Sequence, residues 1–559
     1  MKSIFFHLEN PDKVQIQLFL NNDVPKITKV ISFQRNLSEN LGKFLIKLNG
    51  RVEDLVKKSS KSGKKDKTND DNNSINVIGK FFSNDEPISD ELTFQNMFEE
   101  HEKNKITLNI LGVDYNAFIN WPYVSVIKPP KEIKVGCPTS PSEIVILSGD
   151  LKHSNFKWYK KLPHHRDWIY CEDNFFYTPK EEDIGYNIKL VCIPKSENKI
   201  GSEYHVDCPK LVTPFNETEL IKKRHEFTKS ETKPEKIRVV CYNILADTYT
   251  NTKEAKNSIF AYCNSDALDL ENRKRLLLTE LTGYNSDIIC LQEVDKKLYD
   301  TVFLPFCNFK NFNSVYNKKE GFREGCAMFY KKSKFEFIDH VQYLYAVELK
   351  NNKIFKNLKE IIYNNNKLVT RLNSLQTLLQ VVVLKSLTSA NDYLVVGNTH
   401  LYFHPDADHI RLLQGIMGFD LLNNTANELK RKLPDINVSI IFCGDFNSTP
   451  DCGVYKYITE GYIEGSEIDW KSNLEEAVDG YSANHSVKMI SACGTPEFTN
   501  YTKGFKACLD YIYFQNNRLE LESFVPFPSL DDLSREVALP STFFPSDHVA
   551  LIADLKWKC

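Results

Sequence analysis

The sequence predicts an α/β protein in which one large α/β domain, residues 237–559, is preceded by a β-rich region. Three observations predict it. The chain has 559 residues, more than one ordinary hydrophobic core can serve, so two or three domains are expected. From Ile237 onward, short apolar runs alternate with segments of helical period, the pattern of a sheet layered with helices. Before that point apolar and polar residues alternate with period two, as in Val14-Gln15-Ile16-Gln17-Leu18-Phe19-Leu20 and Ile106-Thr107-Leu108-Asn109-Ile110, which reads as strands.

Residues 1–121 are expected to form a β-rich unit. It is interrupted by KKSSKSGKKDKTNDDNNS, residues 57–74, which has no hydrophobic side chain and six lysines in its first eleven positions; a solvated, disordered loop is expected there. Residues 122–215 read as a second β unit. Cys137, Trp158 and Cys192 fall in the order of an immunoglobulin-like sandwich, and Asp183-Ile184-Gly185-Tyr186, leading into Ile188–Cys192, resembles the corner before its sixth strand. Residues 216–236 are polar and charged, as expected of a linker. In the third part, Leu276, Leu277, Leu278 and Leu281 give a helix over Glu271–Leu281, closed by Gly283 before the strand Asp287–Leu291. Ile410, Leu413, Met417 and Leu421 give a second over Asp408–Leu433, which stops before Pro434 and precedes the strand Val438–Cys443.

Composition excludes several classes of function. Hydrophobic residues make up 42% and charged residues 26%, which is ordinary for a globular protein and rules out wholesale disorder, collagen and a disulfide-rich miniprotein. Lys plus Arg total 71 against 74 Asp plus Glu, a net charge of −3, so a protein that coats DNA by charge is excluded and any nucleic-acid contact must be local. None of the 14 cysteines lies in a C-x-x-C spacing, which removes zinc knuckles and thioredoxin-type motifs and suits reduced intracellular thiols. No apolar run approaches the roughly 18 residues of a membrane helix, so no membrane partner is expected. The first residues meet Glu9 and Asp12 too early for a secretory peptide and are too acidic for a transit peptide.

The chemistry-bearing residues follow apolar strands, where α/β sheets place their sites. Val239-Val240-Cys241-Tyr242 delivers Asn243, Ile288–Gln292 delivers Glu293, Leu394–Thr399 delivers His400, and Ile440–Gly444 delivers Asp445 and Asn447. Near the end, Leu509 precedes Asp510, and Pro545-Ser546 precedes Asp547-His548. Each alone is explained by a turn-capping side chain; six in one domain are not. Hard oxygen ligands with histidines suit Mg²⁺ or Mn²⁺ and metal-assisted attack on a phosphodiester. Neither a GxSxG elbow nor a Walker loop is present.

The motifs YNILAD (242–247), LQEV (291–294), NTHL (398–401), GDFNS (444–448), LDYI (509–512) and SDH (546–548) resemble the exonuclease–endonuclease–phosphatase superfamily in order and spacing over residues 237–559. YNILAD, GDFNSTP and TNYTKGF are similar to the branch that holds nocturnin and the poly(A) deadenylases. ELTGYN, SACGTP, FPSDH and ADLKWK are similar to the animal 2′-phosphodiesterases within it. The resemblance implies a two-sheet α/β sandwich and a Mg²⁺-dependent 3′-end phosphodiesterase, with Mn²⁺ as substitute, that removes AMP from 2′,5′-oligoadenylate and from 3′,5′ poly(A). It implies Glu293 as main metal ligand, supported by Asn243, with Asp547 close by. Asp445 and Asn447 would position or activate water and perform ligand duty, His548 oriented by Asp510 would contact the scissile phosphate, and His400 would stabilise phosphoryl charge. Phe505 and Pro405 match positions that sandwich an adenine, with Asn500 beside them in the substrate site. A monomer is expected, with oligoadenylate or poly(A) RNA as its partner. The relatives imply the mitochondrial matrix, with the cytoplasm as alternative. Two other readings stand: a same-fold phosphatase acting on inositol phosphates or another phosphodiester, and a non-catalytic RNA-binding relative, against which the intact metal and histidine positions count.

Overall fold

The computed structural model describes residues 2–23, 26–61, 77–100, 103–215, 219–389 and 391–558. It divides into two compact units. The first comprises Met1–Pro129, Pro141–Phe175 and Asn187–Cys208, and the second Pro130–Ser140, Phe176–Tyr186 and Pro209–Cys559. Most of residues 1–121 and 122–215 lies together in the first unit, and three segments of the latter belong to the second. Among the described residues no helix is long and apolar enough to cross a membrane.

The first unit is β-rich but not all β. Its seven-stranded sheet has Ser3–Asn10 between its antiparallel neighbour Lys13–Asp23 and its parallel neighbour Val113–Ile119. Two helices, Leu41–Lys61 and Phe94–Glu100, bury Phe44, Leu48, Val52, Phe94 and Met97 against it. Lys57–Lys61 therefore continue a helix instead of opening a loop; the rest of that expected loop, residues 62–74, lies outside the described residues. The immunoglobulin-like detail is not confirmed. A four-stranded sheet, in the order Ile169–Glu172, Asp150–Lys161, Asn187–Lys195 and Tyr204–Asp207, accompanies two-stranded sheets instead of a second broad sheet. Cys137 packs with Phe215, Ile221 and Leu276 of the second unit, while Cys192 lies on the four-stranded sheet opposite Phe156. The Cys192 thiol is free.

The second unit is a sandwich of two six-stranded sheets. In chain order its strands are β1 (Lys236–Asn243), β2 (Ile288–Asp295), β3 (Phe312–Lys318), β4 (Glu324–Lys331), β5 (Phe335–Leu344), β6 (Leu378–Ser386), β7 (Asp392–His400), β8 (Asn437–Asp445), β9 (Met489–Ser491), β10 (Asp510–Gln515), β11 (Leu519–Phe524) and β12 (Leu551–Trp557). The first sheet runs β3-β4-β2-β1-β12-β11 and the second β5-β6-β7-β8-β10-β9. In each, a central parallel pair is flanked by antiparallel strands. Val239, Cys241, Ile288, Cys290 and Met328 of one sheet meet Val382, Leu394, Val396, Ile441, Cys443 and Ile512 of the other in one dry core. Strands buried on both faces read as continuous apolar runs, which is why these segments lack alternation.

Both expected helices are present, as α1 (Leu270–Gly283) and α2 (Asp408–Lys432). Asp269 caps α1 by accepting from the Glu271 and Asn272 amides. Gly283 serves close approach: a Cβ there would stand 2.1 Å from the His225 ring. The expected linker folds as well. Glu219–His225 is a helix with Leu220, Ile221 and Arg224 buried, and the Arg224 guanidinium donates to the Ala550 carbonyl at 2.5 Å.

Candidate active site

The two parallel pairs end at one edge of the sandwich, so β1, β2, β7 and β8 deliver Asn243, Glu293, His400 and Asp445 there. Asp510 and His548 reach the same edge from the opposite direction. Asp510 opens β10, antiparallel to β8 and in register with Asp445. Asp547 and His548 precede β12, antiparallel to β1 with Leu551 opposite Cys241. Their placement after strand ends is corrected accordingly: they stand before strands, and antiparallel pairing brings them to the site.

The side chains interlock. The Asn243 amide nitrogen donates to Glu293 Oε1 at 3.0 Å and to Asp445 Oδ2 at 2.9 Å, and Glu293 Oε2 accepts from the Ala246 amide at 2.9 Å. The Nε2 atoms of His400 and His548 each stand 3.6 Å from that Asp445 oxygen. His548 Nδ1 is 2.8 Å from Asp510 Oδ2, which also accepts from the Thr499 hydroxyl at 2.5 Å. Asp547 accepts from the Asn500 amide at 3.3 Å. The Asn447 backbone amide donates to Asp445 Oδ1 at 2.9 Å and its side-chain amide to the Leu401 carbonyl at 3.0 Å. Thus Asn243, Glu293, His400, Asp445, Asn447, Asp510, Asp547, His548 and Asn500 form one continuous constellation. Pro405 and Phe505 are exposed on two other loops, the first after His400 and the second on the hairpin that carries Asn500.

Three residues of the site have strained backbone. Glu293 has φ 56°, Asn447 48° and Leu245 54°, a region that costs non-glycine residues of order 1–3 kcal/mol each and persists where surroundings over-determine it. Glu293 lies where β2 departs from regular pairing with β4, between Leu291 and Val294, and this irregularity re-aims its carboxylate. Leu245 is held by its amide donating to Asn243 Oδ1 at 3.0 Å. Arg273, buried on α1, fastens the same turn: it donates to the Ile244 and Pro545 carbonyls at 2.7 Å each, and to Leu245. Sequence reading missed Arg273, although its spacing to Leu276, Leu277 and Glu280 puts a cation on the buried face of α1.

Electrostatics divide the groups by role. Burial pushes the Glu293 carboxyl up to about 7, with the charges of Asp547 and Glu324 adding to it. Burial and Asp510 also push Asp445 up. For His548 burial alone would favour the neutral ring, but Asp510, Asp445 and Asp547 together outweigh it and hold the imidazolium well above its ordinary range. Burial, Lys319 and His548 hold His400 well below. Lys319 Nζ lies 3.4 Å from His400 Nδ1 and 2.8 Å from buried Glu324. An ammonium only donates, so Nδ1 accepts and the neutral His400 presents Nε2–H to the site. Lys319 and Glu324 also escaped the sequence reading; the signal was a carboxylate heading the strand Glu324–Lys331, whose next six residues carry no charge.

The donors fit a divalent cation. Ligand atoms of Asp445, Asp510 and His548 lie within 4.8 Å of one another, Asp510 Oδ1 is buried without a partner, and Glu293 is crowded by two further carboxylates. Hard oxygens in this number suit Mg²⁺ or Mn²⁺. Glu293 and Asp445 are the carboxylates best placed to hold it: the Asn243 amide nitrogen steadies both, whereas His548 and Thr499 occupy Asp510 Oδ2.

A family model described as the endonuclease/exonuclease/phosphatase family matches residues 240–548, and the chain belongs to that family. It is a phosphodiester hydrolase of the nuclease and phosphodiesterase type. A model described as the 2′,5′-phosphodiesterase 12-like N-terminal domain matches residues 121–216. The chain is 36% identical over 472 residues to 2′,5′-phosphodiesterase 12 of Rattus norvegicus, across 81% of this chain and 76% of that protein. It is 32% identical to the CCR4-Not complex 3′-5′-exoribonuclease subunit Ccr4 of Schizosaccharomyces pombe, across 58% of this chain and 49% of that protein. Among solved structures, ANGEL2, a 2′,3′-cyclic phosphatase, in complex with adenosine-2′,3′-vanadate aligns over 58% of this chain and 96% of that one, at 22% identity and TM-score 0.47.

Proposed function

We propose that this chain is a Mg²⁺-dependent 3′-end exonuclease that releases 5′-AMP from 2′,5′-oligoadenylate and from 3′,5′-linked poly(A), acting as a monomer. The observation that carries the proposal is the convergence on Asp445 Oδ2 of the Asn243 amide at 2.9 Å and both histidine Nε2 atoms at 3.6 Å, with Glu293 on the same amide. The relatives named for 2′,5′-phosphodiester and 3′-5′ exoribonuclease activity support the substrate class.

Glu293 and Asp445, steadied by the Asn243 amide, would hold a Mg²⁺ ion, which would supply charge neutralisation and Lewis-acid polarisation at the phosphate. Asp445, whose basicity burial raises, accepts a proton from the attacking water. The water oxygen bonds to phosphorus as the bond to the penultimate ribose oxygen breaks. His400 Nε2–H and charged His548 stabilise the phosphoryl oxygens. His548 Nε2 is the group placed to protonate the leaving oxygen, while Asp510 restores its orientation. The products are 5′-AMP and a chain shortened by one nucleotide with a free hydroxyl.

The test is AMP release from 2′,5′-linked and 3′,5′-linked triadenylate with Mg²⁺, beside Glu293→Ala. Release abolished by the substitution is expected, and the rate ratio gives the linkage preference. No release from either with Mg²⁺ or Mn²⁺ overturns the proposal. We also propose the mitochondrial matrix as its compartment, with the cytoplasm as the alternative; recovery of the tagged chain in the cytosol after fractionation would overturn the matrix.

A further inference from the structure

Between β5 and β6 the second sheet carries a helical insertion, residues 345–377, which the catalytic chemistry above does not use. It contains the helices Tyr345–Asn351, Lys356–Ile362 and Asn366–Ser374. One face is packed: Tyr345, Leu349, Phe355, Leu358, Ile362, Leu368 and Leu372 enter the cluster that includes Ile410, Leu413 and Met417 of α2. The other face is charged. Lys350, Lys353, Lys356, Lys359, Lys367 and Arg371 stand against only Glu348 and Glu360, in a chain whose net charge is −3. Lys367 pairs with Glu475 at 2.9 Å, and Arg371 with Asp406 at 2.8 Å and Glu476 at 2.7 Å. Exposed Lys350, Lys353 and Lys356 have no carboxylate partner among the described residues.

The register places the ends of this insertion beside the site. Leu344 pairs with Leu378, and Leu379 with Thr399, the residue before His400, so the insertion leaves the sheet at the edge where His400 ends β7. Two strand spacings, about 10 Å, separate the two rows. Tyr345, the first residue of the insertion, has its hydroxyl 3.0 Å from Thr399 Oγ1. At its far end Arg371 holds Asp406, on the loop that carries Pro405. Both ends of the basic segment are thus tied to the loop and strand that flank the phosphate-handling histidine.

We propose that the exposed face of residues 345–374 binds the phosphate backbone of the oligonucleotide upstream of the scissile bond. The proposal rests on the nucleic-acid substrate proposed above. It makes Lys350, Lys353 and Lys356 sequence-independent backbone contacts, so their effect grows with substrate length and falls with salt.

The experiment measures, by fluorescence anisotropy, the affinity of the full chain for 3′,5′-linked adenylate twenty-mer across a KCl series. The wild type is compared with Lys350→Gln/Lys353→Gln/Lys356→Gln. A control carries Lys332→Gln/Lys488→Gln/Lys558→Gln, three exposed lysines at the opposite edge of the sheets. Each neutralised contact removes about 0.7 from the log Kd–log salt slope on a single strand, so the insertion variant should lose about two and the control none. Equal slopes in all three proteins, or equal losses in both variants, would overturn the proposal. AMP release from triadenylate is followed in parallel. A wild type that releases none while the insertion variant loses its slope would sink the adenylate-exonuclease reading and leave this surface standing.

Discussion

The two six-stranded sheets share one pairing pattern, yet neither holds a complete site. The first, with the segment leading into β12, brings Asn243, Glu293, Asp547 and His548; the second brings His400, Asp445, Asn447 and Asp510. The critical contacts cross between them: Asn243 to Asp445 at 2.9 Å, and His548 to Asp510 at 2.8 Å. The two carboxylates best placed to hold a cation, Glu293 and Asp445, thus come one from each sheet. Chemistry depends on the two sheets keeping register. A chain of buried amides fixes that register below the site. Gln292 of β2 donates to Asn398 of β7 at 2.7 Å, Asn398 to Gln380 of β6 at 3.2 Å, and Gln380 to Asn317 of β3 at 2.7 Å.

The comparison predicts that damage on each side is distinguishable. Glu293→Ala, on the first sheet, should lower kcat/KM by about 10³ or more, since it removes both charge stabilisation and its focus, and it should raise the Mg²⁺ concentration needed for half-maximal rate. Asp510→Asn, on the second, should lower kcat by about 10² while leaving that concentration nearly unchanged. It also has a pH signature. Asp510 is the foremost of the charges that hold the His548 imidazolium above its ordinary range against burial, so its loss lowers that pKa and moves the alkaline limb of the pH–rate profile to lower pH. An unmoved limb, or a metal requirement altered as strongly as by Glu293→Ala, would show that the division between sheets is wrong.

Much of this was legible in the sequence because strand ends announce themselves. Four apolar runs each hand over to a polar residue, and the helices α1 and α2 fall where apolar spacing puts them. What the sequence hid was direction and company. Leu509-Asp510 reads the same whether a strand ends or begins there, and only pairing with β8 shows that it begins. Arg273 and Glu324 look like surface charges until the turn at Leu245 and the ammonium of Lys319 close around them. The N-terminal half misled for a related reason: Cys137, Trp158 and Cys192 give an order, but order does not say that Cys137 packs with Phe215 and Leu276. The segment 216–236 looked like a linker because one buried arginine, Arg224, sits in a run of lysines.

The amide chain predicts a defect of another kind. Asn398→Leu would strand the Gln292 and Gln380 amides, together with the Leu291 and Ala327 carbonyls that Asn398 now serves. Leaving such groups buried and unpaired costs about 2–4 kcal/mol. The urea midpoint should fall with an unchanged m-value, and both metal requirement and kcat should worsen, because both sheets lose their alignment. A stable variant with one parameter changed would mean that the sheets are held by apolar packing alone.

The smallest effect belongs to Phe505, which neither sheet contains. Its ring is 53% exposed, on the hairpin whose Asn500 amide donates to Asp547 and whose Tyr501 backbone amide donates to the Asp547 carbonyl at 2.9 Å. An aromatic ring so exposed gains little for the fold, whereas stacking on a base is worth about 1–3 kcal/mol. Phe505→Ala should therefore raise KM for triadenylate about tenfold, with kcat, metal requirement and urea midpoint close to those of the wild type. Phe505→Tyr should restore KM. A fall in kcat without a rise in KM would place the hairpin in the alignment of Asp547 and His548, and would tie it to the first sheet after all.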